Sequence, residues 1–147
     1  MTRNIRVGAV DWRKPAWAGG FYPADLPEDW QLTFYSSQFN CVYLPASAWQ
    51  GASPAELAQW REDAHSRFVF LLEAVPGQAM PQALADKVLA VTREDGRIVW
   101  FDRASDLKAL AARLNDGDPL QDLYLISRDG DLGQMERVGT LLELMGF

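Results

Sequence analysis

The chain has 147 residues, 48% of them hydrophobic, with a formal net charge of −6 and a single cysteine. That length suits one domain with one sizeable core, and the acidic balance disfavours general nucleic-acid binding, which needs Lys and Arg to neutralise phosphates. One cysteine and one histidine exclude an internal disulfide and a Cys/His zinc constellation. No apolar run approaches the roughly 20 residues of a membrane span, and the opening MTRNIRVGAV lacks the apolar core of a signal peptide. A cytoplasmic location is therefore expected, with no membrane partner and no cofactor.

In chain order, IRVGAV (5–10) reads as a strand. A loop dense in Trp, Pro and Gly follows (11–23), with Arg3, Arg6, Arg13 and Lys14 forming a basic cluster read as solvated. Residues 26–39 read as a helix, with Pro27 in its first turn and Glu28 and Asp29 complementing the macrodipole. CVYL (41–44) is a short buried strand in which Cys41 acts as a small hydrophobe. In 53–63, Ser53, Pro54 and Glu56 spell a capping box, with Leu57, Trp60 and Ala64 on one face.

RFVFLLEAV (67–75) reads as a strand covered on both sides. Residues 83–102 allow two readings. The spacing of Leu84, Val88 and Val91 favours a helix ending near Gly96 and then a strand 97–101, while Asp95-Gly96 is also a hairpin turn signal. A helix capped by Ser105 (105–116), a turn at Gly117 and Pro119, a strand 122–129 and a helix 131–146 complete the chain. The whole of 1–147 thus reads as a single α/β domain of about five mainly parallel strands alternating with helices.

The loop also carries a family resemblance. Trp12, Pro15, Trp17, Gly19, Phe21, Tyr22 and Pro23, then Phe39, Asn40 and Val42, resemble the N-terminal part of the YecE-like family, bacterial domains of unknown function. Residues 53–62 and 67–74 resemble its next helix and strand. The resemblance implies a (β/α)₈-barrel relative, and five strands imply a truncated or partial TIM-barrel-like sheet. It also implies altered polar positions at the strand ends: Tyr43 and Pro45 stand where the family has an acid and an Asn, Glu73 where it has a Lys. Trp49 and Gln50 replace an aromatic-plus-basic pair.

Ligands of such folds bind beyond the carboxyl ends of the strands. The ligand-binding candidates are therefore Asp11, Trp12, Arg13, Trp17, Tyr22, Tyr43 and Trp49, with Asp11 and Glu73 as an acid/base pair if the chain is catalytic. The loop aromatics either floor a ligand site or plug the end of the sheet. His65 reads as a helix-end residue, and no metal site is expected. Two functions follow: a non-catalytic ligand-binding or protein-interaction module, in which a second copy or another protein covers the open sheet edge, or a small enzyme acting on an anionic or sugar-like metabolite.

Overall fold

A computed structural model describes residues 3–147. It contains a parallel sheet of six strands: β1 (Ile5–Val10), β2 (Cys41–Leu44), β3 (Val69–Glu73), β4 (Val88–Val91), β5 (Ile98–Phe101) and β6 (Leu123–Ser127). Their spatial order is β4-β3-β2-β1-β6-β5, with every neighbouring pair parallel. The α-helices are α1 (Gln31–Gln38), α2 (Ala46–Trp49), α3 (Pro54–Asp63), α4 (Leu107–Asp116) and α5 (Leu132–Leu144). None of the described helices is long and apolar enough to cross a membrane.

The sheet is curled, and two observations require it. Tyr43 on β2 and Trp100 on β5 lie three strand positions apart, yet their ring centroids are 5.0 Å from each other. A flat sheet would separate those strands by about 14 Å, at ~4.8 Å per strand. Residues 92–97 also join β4 directly to β5 at the opposite edge. The seven Cα–Cα steps from Val91 to Ile98 could just cover the ~24 Å of five strand spacings if fully extended, but turns at Thr92–Asp95 and Asp95–Ile98 shorten the path well below that.

Period-2 alternation then sorts side chains onto two faces. Cys41, Tyr43, Leu71, Val91, Ile98, Tyr124 and Ile126 fill the concave interior. Val7, Ala9, Val42, Leu44, Phe70, Leu72, Val99, Phe101 and Leu125 face the helices in the larger core. This double coverage is why β2, β3 and β6 read as unbroken apolar runs.

Local signals hold where the chemistry is local. Ser53 and Glu56 form the reciprocal capping box with Pro54 in the first helical turn, and Gly117 follows the last residue of α4. The cap of α4 is Asp106, which accepts from Lys108 N; Ser105 instead accepts from Asp102 N. Helix 26–39 begins as a 3₁₀ turn over Glu28–Trp30, with Pro27 just outside it.

Residues 83–102 keep the expected strand 97–101, which is β5, but not the helix expected before it. A 3₁₀ segment (Gln82–Lys87) leads into β4, which pairs with β3 from Val88 to Val91. The helical spacing of Leu84 and Val91 was coincidental, since Leu84 joins the outer core and Val91 the interior. A hairpin fails because Gly96 is not among the glycines with positive φ, which a type I′ turn demands. The expected count of about five strands accordingly becomes six.

The basic cluster is also less solvated than expected. Arg3 is buried, its guanidinium donating to Leu114 O and Asp118 O at the carboxyl end of α4. Arg13 pairs with Asp11, and Lys14 lies half-buried with its ammonium 5.6 Å from the Trp17 ring centroid.

Candidate functional site

The carboxyl ends of the strands surround a cavity of about 460 Å³ lined by Val10, Tyr43, Pro45, Arg93, Trp100 and Arg128. Alternation aims Val10, Tyr43 and Trp100 into the curl, while Arg93 and Arg128 lie just beyond β4 and β6. The size is within the range of small-molecule sites, roughly 300–1,000 Å³.

Glu73, the last residue of β3, organises one wall. Its Oε2 accepts from Tyr43 Oη at 2.6 Å and from Arg93 Nε at 3.0 Å, while its Oε1 faces Ala46 N at 3.5 Å. The Tyr43 hydrogen bond and then the Arg93 bond outweigh desolvation and hold the Glu73 carboxyl below the usual glutamate range. The Tyr43 phenol moves the other way, raised first by burial and then by its bond to the carboxylate. Trp49 Nε1 donates to Glu73 O at 3.0 Å, fixing α2 against this corner.

On the opposite wall, Trp100 Nε1 donates to Arg93 O at 3.0 Å, tying β5 to the segment after β4. The Arg128 guanidinium lies 5.7 Å from the Trp100 ring centroid. It takes part in no side-chain hydrogen bond or ion pair among the described residues.

Of the residues expected from sequence, Tyr43 lines the cavity and Glu73 stands behind it, bonded to it. Asp11, at φ +60°, directly follows β1 and pairs with Arg13 through both carboxylate oxygens, at 2.9 and 3.0 Å. Arg13 also donates to Ala48 O and covers the Trp12 ring. Asp11 and Glu73 thus each engage their own arginine.

Trp12, Trp17, Tyr22 and Trp49 are at most 3% exposed and lie in the core layer between sheet and helices. Trp17 Nε1 donates to Gly130 O, Tyr22 Oη donates to Trp12 O, and Trp12 meets Trp60 edge-on at 4.9 Å. Sequence reading missed Val10, Arg93, Trp100 and Arg128. Val10 and Trp100 lie on strands that the sequence announces, but alternation alone does not say which face the curl turns inward.

No group of three or more His, Cys, Asp or Glu side chains suited to a metal occurs among the described residues. His65 Nδ1 accepts from Arg67 N beyond α3, and burial lowers its pKa. Buried Cys41 has its thiol pushed well up by desolvation.

These features define a parallel α/β protein whose curled sheet opens, at its carboxyl end, into a cavity bordered by two arginines and two aromatic rings. The family model described as "Protein of unknown function DUF72" matches residues 6–115, and the chain belongs to that family. It is the YecE-like family that the aromatic loop resembles. A solved DUF72 family protein from Enterococcus faecalis V583 is similar at 16% identity and a TM-score of 0.38, over 97% of this chain and 59% of that one. The chain therefore spans about three fifths of that relative's length. No curated protein matches the sequence.

Proposed function

We propose that the chain is a non-catalytic small-molecule-binding domain whose ligand sits in the carboxyl-end mouth. The observation carrying this reading is the cavity itself: side chains from the ends of β1, β2, β5 and β6 and from the β4–β5 connection converge on one space. Ligands of parallel α/β sheets occupy this end because the loops there are free to vary.

The binding reading is preferred to the enzymatic one on electrostatic grounds. A general acid or base works best with a pKa near the working pH, and Tyr43 and Arg93 hold Glu73 ionised, below its usual range. Asp11 is committed to Arg13 through both oxygens.

Native mass spectrometry of protein isolated gently from its own cells tests the proposal. Wild-type chain is expected to carry a small bound mass, lost in Val10→Trp, where the larger ring fills the mouth. A bare wild-type chain, or an adduct retained by a folded Val10→Trp, would overturn it. The rival reading is a second chain pairing along β4 or β5, the strands that end the sheet. Sedimentation as a monomer at high concentration would remove the homodimer version.

A further inference from the structure

Resting on the mouth as a binding site, we infer that its ligand is a small organic anion bearing a planar ring. Arg93 and Arg128 hold the oxyanion and Trp100 packs against the ring.

The polar groups left unspent at the cavity carry the inference. The Tyr43 hydroxyl proton goes to Glu73, and the Trp100 N–H goes to Arg93 O. Arg93 uses Nε on Glu73, which fixes the guanidinium beside the Tyr43 hydroxyl and leaves Nη donors with capacity for a further acceptor. Arg128 makes no hydrogen bond among the described residues with any of its five side-chain N–H donors. What remains is a set of guanidinium donors, so the matching ligand group is an acceptor.

Charge points the same way. Arg93, Arg128 and Glu73 sum to one positive charge at the mouth, so an anion entering it is compensated, whereas a neutral ligand would desolvate the arginines without return. Planar forks of N–H donors suit carboxylate or phosphate oxygens. The other walls are Val10, Pro45 and the rings of Tyr43 and Trp100, and an aromatic partner gains from ring packing there. A net charge of −6 on the chain disfavours an extended polyanion.

Titration calorimetry with phenyl phosphate, inorganic phosphate and benzyl alcohol tests the chemistry. Phenyl phosphate is expected to bind at least about tenfold more tightly than either other probe. Arg128→Gln should weaken phenyl phosphate by about tenfold or more, the scale of a charged hydrogen bond. Its melting temperature should change little, because the side chain makes no hydrogen bond or ion pair among the described residues and only an exposed contact with the Trp100 ring. Failure of phenyl phosphate to bind at millimolar concentration would overturn the inference, as would equal binding of benzyl alcohol or an unaffected Arg128→Gln.

Val10→Trp separates the two levels of the argument. If benzyl alcohol binds equally and Val10→Trp abolishes it, the mouth stands and the anion is wrong. If probe binding survives in folded Val10→Trp, the mouth itself is wrong.

Discussion

Tyr35 shows how much a single hydroxyl can determine. The side chain rises from α1 and is fully buried, with Oη accepting from Ala9 N at 2.9 Å and donating to Cys41 O at 2.7 Å. It bridges β1 and β2 inside their ladder, next to Gly8. A Cβ on Gly8 would lie 2.0 Å from Cys41 O and 2.9 Å from the Tyr35 hydroxyl, so only glycine fits there. Tyr35→Phe strands one buried donor and one buried acceptor, at roughly 1–3 kcal/mol each. A loss of about 2–6 kcal/mol is expected in urea unfolding. A change under 1 kcal/mol would mean that the strands close directly on each other.

At the scale of elements, the 3₁₀ segment before β4 contains the strained point. Ala85 has φ +48° and ψ −121°, a region costly for any residue with a Cβ. Pairing of β4 with β3 and burial of Leu84 on either side hold it there. Ala85→Gly relieves the clash but loosens the unfolded chain by roughly 0.5–1 kcal/mol. A net gain of roughly 0–2.5 kcal/mol follows from the 1–3 kcal/mol strain scale less that entropic cost, visible as a raised melting temperature. A lowered one would show that the alanine is at ease.

At the scale of the molecule, Glu73 joins parts of the chain far apart in sequence: β3, Tyr43 of β2, Arg93 beyond β4 and the Trp49 N–H of α2. Its carboxyl titrates below the usual 4.5 because the Tyr43 hydrogen bond, then Arg93, favour the anion against desolvation. A depressed folded value contributes stability above the unfolded pKa and loses it as pH falls through the folded one. Wild type should therefore lose stability below about pH 4.5 more steeply than Glu73→Gln. Parallel denaturation curves at neutral and acid pH check this, and identical slopes would refute it.

Much of the architecture was legible because it rests on near neighbours. Ser53 and Glu56 cap α3 three residues apart, and the strands CVYL and VFLLE announce double coverage by composition. The ordered aromatics of 12–23 pointed to the correct family. Long-range geometry decided the rest. VLAV (88–91) became a strand because β3 offered it a ladder, overriding helical spacing. The loop tryptophans went to the core and Trp100 to the mouth because curling of the sheet sets which face looks inward, and that curl depends on strands joined across the whole chain. Arg93 and Arg128 meet over one cavity for the same reason: their proximity belongs to the order β4-β3-β2-β1-β6-β5, which no local pattern encodes.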